Sequence, residues 1–529
     1  MKYHSKVFLF AIIITLSTVH LFAQYENIRI DGPQSILPEE VTIAINPVNT
    51  DILAAAANLD RFYWSSDGGI NWGDRQMSST LGVYGDPCVV FDSLGNLYYG
   101  HLSDPLNGYW IDRIVVQKST DNGYLWSDGK GIGLQTTPIV QDKEWLAVDL
   151  SQSPYKGNIY VSWTEFDYLH NPDPKDSSRI RFSKSTDQGE TWSDAITISD
   201  KGGDCLDDDN TTEGAVPAVG PNGEIYISWA GPLGLMFDKS LDGGETWGTD
   251  IFISDIPGGW VFDVPGIYRC NGLPVTMCDI SNSPYRGNIY VCWGDQRNGT
   301  SNSDVFFSRS TDGGNTWTQP LKVNDDTSDR HQFFPWMTVD PTTGNIWAVF
   351  YDRRNTIGNA TDVYVAKSTD GGDTFENIKV NEDSFTPRAL VFFGDYTNIV
   401  AWGRKVFPIW MRLDKSNQQL SIWTAPIEDT PVPVEFIPNA IPSAYKLMQN
   451  YPNPFNPSTT ISYQIPTTEF VTVKVFDVIG NEITTLVKET KNAGVHEVNF
   501  DASNLSSGIF VYKIDAGMFH QAKKMLLLK

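Results

Sequence analysis

One octapeptide recurs six times along the chain. It reads Ser65-Ser-Asp-Gly-Gly-Ile-Asn-Trp72, Ser119-Thr-Asp-Asn-Gly-Tyr-Leu-Trp126 and Ser185-Thr-Asp-Gln-Gly-Glu-Thr-Trp192. It returns as Ser240-Leu-Asp-Gly-Gly-Glu-Thr-Trp247, Ser310-Thr-Asp-Gly-Gly-Asn-Thr-Trp317 and Ser368-Thr-Asp-Gly-Gly-Asp-Thr-Phe375. Successive copies start 54, 66, 55, 70 and 58 residues apart. Such a period marks a chain built of self-similar units, none of which can bury its apolar face alone. The pattern has the chemistry of a turn. Its aspartate accepts hydrogen bonds from the turn's own amides. Its fifth-place glycine takes a positive φ at little steric cost. Its aromatic packs the turn onto a sheet. Asp67, Asp121, Asp187, Asp242, Asp312 and Asp370 are therefore read as structural, not as catalysts.

A second motif precedes five of the copies: Asp92-Ser-Leu-Gly-Asn-Leu-Tyr-Tyr99, Ser153-Pro-Tyr-Lys-Gly-Asn-Ile-Tyr160, Pro221-Asn-Gly-Glu-Ile-Tyr226, Ser283-Pro-Tyr-Arg-Gly-Asn-Ile-Tyr290 and Pro341-Thr-Thr-Gly-Asn-Ile-Trp347. It reads as a tight hairpin between two buried strands. Each unit then runs strand, hairpin, strand, long loop, strand, octapeptide, strand. Residues 145–149, 159–164, 180–185 and 196–199 show all four strands. The octapeptide resembles the Asp-box, or BNR repeat, of sialidases and other β-propellers. The resemblance implies an all-β, sialidase-like propeller over residues 24–425.

Six octapeptides alone give a six-bladed alternative. The ends of the array predict seven blades. After the last octapeptide comes an outer strand at 378–381, then three strands at 396–402, 406–412 and 420–425 with no octapeptide and no fourth strand. Asn27-Ile-Arg-Ile-Asp31 matches the outer strands Ile196-Thr-Ile-Ser-Asp200 and Leu321-Lys-Val-Asn-Asp325. Residues 27–31 are thus expected to pair with 420–425 and close the ring, which removes its open edges.

The two ends carry addresses. Positive residues, the apolar run 7–16 and small residues before Gln24 form a secretory signal peptide over 1–23. The apolar run is too short to span a bilayer, and no transmembrane segment is expected in the mature chain. Residues 426–447 read as a proline-rich linker. Residues 448–529 hold closely spaced period-2 strands, which suggests a small Ig-like β-sandwich. The motifs Tyr451-Pro-Asn-Pro-Phe-Asn-Pro457, Phe476-Asp-Val-Ile-Gly-Asn481, Ser506-Ser-Gly-Ile-Phe-Val-Tyr512 and Lys523-Lys-Met-Leu-Leu-Leu-Lys529 resemble the C-terminal sorting domain of the type IX secretion system. That resemblance implies export by that machinery, to the cell surface or the medium.

Chemistry is expected on the face opposite the octapeptides, where the loops vary most in length. Residues placed near the channel mouth are Glu40, Asp86, Asp142, Glu144, Glu213, Arg269, Arg330, His331 and Asp395. Second strands end in Glu165, in Asp295 with Arg297, and in Asp352 with Arg353 and Arg354. Nearby aromatics are Trp145, Trp260, Tyr268, Trp336 and Tyr396. Carboxylates, arginines and aromatics together suit an extracellular glycan or glycoprotein. The sialidase resemblance implies an exo-α-sialidase-type glycoside hydrolase, with three arginines around a carboxylate, an Asp acid/base and a Tyr nucleophile paired with Glu. By position, Arg269, Arg330 and Arg353 or Arg354 would be the arginines, with Asp86, Glu144, Glu213 and Tyr396 or Tyr351 as reacting groups. Trp145, Asp295, Arg297, His331, Trp336, Arg354 and Asp395 would bind substrate. The family's Phe/Tyr-Arg-Ile-Pro motif is missing, since Arg29 lies in Asn-Ile-Arg-Ile-Asp. Two other readings stay open: a non-catalytic propeller that binds glycan or protein, and a polysaccharide lyase using His331 beside Arg330.

Export permits disulfides. Cys205 with Cys270 would staple neighbouring loops, Cys278 would face Cys292 across a hairpin, and Cys88 would be a buried thiol. No Cys/His spacing suggests zinc, and no cofactor is expected. Asp204-Cys-Leu-Asp-Asp-Asp-Asn210 could bind calcium, which prefers oxygen ligands, but it lacks EF-hand spacing and reads first as a solvated acidic loop. A net charge of −25 argues against nucleic acid, which needs a basic surface.

Overall fold

The computed structural model describes residues 25–32, 35, 38–414, 419–429, 445–448, 450 and 453–529. The expected signal peptide lies outside them, as does most of the expected linker. The chain divides into two compact units, Met1–Thr430 and Pro431–Lys529.

The first unit is a β-propeller. Among the described residues it holds seven antiparallel sheets, the blades, numbered here in chain order. Their innermost strands are Thr42–Ile45, Cys88–Phe91, Val140–Val148, Glu213–Val219, Val275–Cys278, Gln332–Val339 and Asn398–Trp402. Each innermost strand neighbours the next, and the last touches the first. Blade three shows the pattern in full: Val140–Val148, Ile159–Phe166, Ser178–Ser185 and Ile196–Thr197 in simple up-and-down order. Central strands are buried on both faces, as in Ile159–Phe166, so they read as apolar runs.

The octapeptides explain how one blade holds the next. In the first copy, Asp67 Oδ1 accepts the Asn71 amide at 2.9 Å and the Ser65 hydroxyl at 2.9 Å. Ser65 Oγ accepts the Gly69 amide at 3.0 Å, and Trp72 Nε1 donates to the Gly69 carbonyl at 2.9 Å. The same aspartate-to-amide bond recurs at Asp121, Asp187, Asp242, Asp312 and Asp370. The turn also reaches backward. Trp317 meets Phe237 of the preceding blade edge-on, with ring centroids 5.1 Å apart. Gly314 has φ +83°, and a Cβ there would stand 2.3 Å from the Phe237 ring. Glycine is thus required twice over, for its backbone and for a clamp on the neighbouring blade.

The seventh sheet draws on both ends of the propeller. Ile28 pairs with Thr424 and Arg29 with Trp423, the pairing that the expected register requires. The Ile30 amide donates to the Ile422 carbonyl at 2.9 Å, and Asp31 Oδ1 accepts the Ile422 amide at 2.7 Å. One core runs across the join, from Ile43 and Leu53 of blade one to Phe407 and Ile409 of blade seven. Ile427–Glu428 pairs with Lys405 and Val406, so ordered propeller structure continues past residue 425.

The second unit packs two sheets, one of three strands and one of four. Ser458–Ile465 alternates exposed and buried residues, the mark of a strand with one face on a core. That core includes Ile461, Tyr463, Val473, Val475, Tyr512 and Ile514. Lys446–Leu447 already pairs with Gln464 and Tyr463, inside the stretch expected as linker.

The disulfides expected from spacing are not formed: all five cysteines are free and buried. Cys278 pairs with Ile289 and Cys292 with Val275, so the two are offset along the hairpin. Cys205 packs in the core around blades two and three, while Cys270 belongs to the separate core that runs from blade five through blade seven into blade one.

Candidate functional site

The mouth of the central channel is built from a repeated backbone irregularity. Glu40, Asp86, Lys143, Gly214, Phe334 and Gly394 all have positive φ. In six blades this residue stands just where the innermost strand turns inward. Bulges between Asp142 and Trp145, Glu213 and Val216, and Phe333 and Trp336 accompany it. A bulge bends its strand and re-aims side chains. Here it brings charged residues of different blades together. Non-glycine residues at positive φ concentrate at functional or strained sites.

Lys143 lies at the centre. Its Nζ is 2.7 Å from Asp395 Oδ2 and 3.8 Å from Glu213 Oε1. Arg269 Nε donates to Asp395 Oδ1 at 2.9 Å, and its Nη1 to Asp207 Oδ2 at 2.9 Å. Asn58 donates to Glu40 and accepts the Asp86 amide at 2.7 Å. The Tyr396 hydroxyl donates to Asp86 Oδ1 at 3.4 Å.

Burial decides the protonation states. It pushes Glu40, Asp142, Glu144 and Glu213 well above the usual carboxylate range. Asp86 is held low despite burial, by the Lys143 charge and by hydrogen bonds from Glu40 and Asp142. Asp395 is also held low against its burial, by Lys143 and Arg269. The two cations thus face ionised Asp86 and Asp395, while Glu40 and Asp142 are neutral donors to Asp86. Glu144 and Glu213 are buried, and no oxygen of either finds a hydrogen-bond partner among the described residues.

Little room remains here. The cavity between Lys143, Asn271, Asp395, Tyr396 and the neighbouring strands is about 40 Å³. That admits a few waters, but not a sugar ring. Three aromatics close it below: Trp145 and Trp336 have centroids 4.4 Å apart, and Tyr396 lies 5.6 and 5.7 Å from them. Beneath this plug the channel is apolar, about 230 Å³, and lined by residues such as Leu146, Val148, Met277 and Val400.

The other expected site residues lie apart from this network. Arg297 is bound to Asp295, and Arg354 to Asp352 and Asp325. Glu165 pairs with Arg179 at 2.9 Å. The acid at the end of the second strand thus holds an arginine of its own blade in three blades. Tyr351 is buried and donates to the Met411 carbonyl at 2.7 Å. His331 Nδ1 lies 3.1 Å from Ser303 Oγ; burial and the charges of Arg353 and Arg330 push it down to about 4. Arg353 is buried near Arg330, stacked 5.2 Å from the Phe333 ring. Arg269, tied to Asp395 and Asp207, belongs to a different cluster. Trp260 is buried, whereas Tyr268 is 68% exposed.

In the acidic loop 204–210, Asp204 accepts the Thr211 hydroxyl, Asp207 pairs with Arg269 and Asp209 accepts the Val261 amide. Among the described residues, no group of three potential ligands comes together to hold a metal. Sequence reasoning missed Lys143, Asn58, Asn271 and Asp207. Lys143 had a signal: a lone cation between Asp142 and Glu144, at a position otherwise acidic or uncharged around the ring.

Other aromatics are exposed on the same face. Tyr84 and Trp110, from adjoining loops, pack edge-on at 5.3 Å and are each 37% exposed. Tyr168 is also exposed. Tyr268 packs edge-on against Phe392 at 6.1 Å.

Comparison with known proteins adds two findings. Residues 449–528 match the family model described as "Secretion system C-terminal sorting domain". Solved structures similar to the chain include the Hadza microbial sialidase Hz136, at 16% identity over 71% of this chain and 73% of that one, TM-score 0.37. Another is YCF48 bound to D1 peptide, at 13% identity over 76% and 96%, TM-score 0.39. A third is the NanB sialidase from Streptococcus pneumoniae, at 10% identity over 72% and 82%, TM-score 0.41. No curated protein matches the chain. Residues 449–528 thus form a C-terminal sorting domain that follows a β-propeller in the chain, a tail that marks it for type IX secretion to the cell surface or the medium.

Proposed function

We propose that this protein binds extracellular glycans on the rim of its loop face and does not hydrolyse them. One observation carries the reading. The carboxylates that could act on a glycosidic bond are buried, and the tyrosine partly buried, in an ion network beside a cavity of about 40 Å³. A glycosidase needs a neutral acid and an ionised carboxylate on either side of the scissile bond. Glu213 and Asp395 have those protonation states, but both lie buried against Lys143, where no sugar reaches. A lyase reading fares no better, because a histidine held near 4 is a weak base at neutral pH.

The exposed aromatics suit a sugar instead. Tyr84, Trp110, Tyr168 and Tyr268 offer flat, amphipathic surface at the level of the loops. The test is calorimetric titration of the exported chain with neutral and acidic oligosaccharides. Trp110→Ala is expected to weaken binding by about tenfold or more, as truncation of an aromatic anchor does. Equal affinity for wild type and for variants at Trp110, Tyr84 and Tyr268 would remove the rim from the account.

A further inference from the structure

The arginines of the loop face divide into two kinds. Arg179, Arg269, Arg297 and Arg354 each hold at least one carboxylate. Arg330 and Arg353 form no ion pair among the described residues. Arg353 is 1% exposed, yet among the described residues its side chain meets a hydroxyl and a ring and pairs with no carboxylate. Its Nε donates to Thr361 Oγ1 at 3.1 Å, and its guanidinium lies over Phe333. Its Nη2 is buried with no hydrogen-bond partner among the described residues. Arg330, half-buried beside it, donates among the described residues to the carbonyls of Arg353 and Gly358.

A buried guanidinium without a counter-charge is costly. A second cation next to it raises that cost. The surroundings register the strain: burial and the Arg330 charge push Arg353 down to about 10. His331, on the same side, is held neutral by the same field. Proteins keep buried charges where they are paired or bind something charged. The neighbouring strand end shows the ordinary solution, since Arg354 sits among Asp352, Asp325 and Asp326.

We propose that Arg330 and Arg353 form an anion-binding site at the loop end of blade six, for a carboxylate, sulfate or phosphate group. The anion enters from the side of loop 354–360, where Ile357 is exposed and Gly358 has positive φ. Arg330 exchanges its bonds to loop carbonyls for stronger charge-assisted ones. The free Nη2 of Arg353 supplies the second contact. The site stands on its own geometry and does not depend on the rim aromatics binding a sugar.

The test uses the full exported chain in a chloride buffer at fixed ionic strength. Its thermal midpoint is followed while sodium sulfate, phosphate or acetate replaces chloride. A saturable rise is expected for at least one of them, since a ligand that binds only the folded state stabilises it. The anion with the lowest half-saturation identifies the group recognised. Arg330→Gln, at a half-buried position with no ion pair, should weaken that response by about tenfold or more. Arg353→Met should raise the midpoint in chloride alone and abolish the saturable response. Non-saturating rises of equal size in wild type and Arg330→Gln would overturn the site, because salts stabilise folded proteins generally. So would an Arg353→Met protein that melts lower and keeps its anion response, for Arg353 would then be structural.

Discussion

At the residue scale, Lys143 is the side chain on which the channel mouth depends. Removing one partner from a buried ion pair leaves its counter-charges unsatisfied, at a typical cost of about 3–5 kcal/mol. Lys143→Met should therefore lower unfolding free energy by that order, read from urea melts, with the far-ultraviolet spectrum unchanged. A variant as stable as wild type would mean that Asp395 is satisfied by Arg269 alone.

The acids around Lys143 set the pH response. Burial pushes Glu39 up to about 8, and it raises Glu40, Asp142, Glu144 and Glu213 as well. A carboxyl with a raised folded pKa contributes its stability below the unfolded value, near 4.5, and loses it as pH rises through the folded value. The octapeptide aspartates work the other way. Hydrogen bonds from Thr246 and Thr316 hold Asp242 and Asp312 down to about 2. Their stabilisation is present above the ordinary aspartate range and fades as pH falls toward 2. The protein should thus be most stable in mild acid, with its melting midpoint falling between pH 5 and pH 8. Glu39→Gln should flatten that fall. A midpoint that climbs steadily to pH 8 would contradict these protonation states.

At the element scale, the two-residue strand Ile28–Arg29 closes the ring. Ile30 is buried beside it, and truncation of such a side chain costs about 2–4 kcal/mol. Ile30→Ala should lower stability by that order. It should also speed amide exchange at residues 420–424 more than in blades three or four, as measured by hydrogen-exchange mass spectrometry. Uniform destabilisation would mean that the join between blades one and seven is no weaker than any other.

This closure was legible because outer strands repeat a short sequence, and Asn27-Ile-Arg-Ile-Asp31 fits it. The octapeptides were legible because each turn is satisfied within eight residues. The channel mouth was only half legible. Sequence placed Asp86, Glu144, Glu213 and Asp395 near the axis, but position along a strand does not reveal depth. Local bulges and the single charge of Lys143 turned an expected open funnel into a closed network. The arginines show the same limit. Arg269 precedes the innermost strand of blade five and Arg353 follows the second strand of blade six, and neither position reveals that one meets Asp395 and the other Phe333. The Cys278–Cys292 pair failed for a related reason: equal distance from a turn's centre does not fix register.

At the scale of the whole molecule, export is carried by the tail, and the proposed binding falls to the propeller. A chain ending before residue 449 should fold its propeller but remain inside the producing cell. Immunoblots of cells and medium would show it, and surface delivery of the truncated chain would contradict the role of the tail. Among the described residues no helix is long and apolar enough to cross a membrane.

The central claim is that the loop face binds glycans while the buried network performs no hydrolysis. Its most direct test is to incubate the purified exported chain with a glycan panel that includes sialosides, then measure released sugar by mass spectrometry alongside bound glycan. Binding by at least one glycan with no release above the protein-free control is the predicted result. Release that is lost in Glu213→Gln would contradict it, and would mean that the channel mouth opens to substrate.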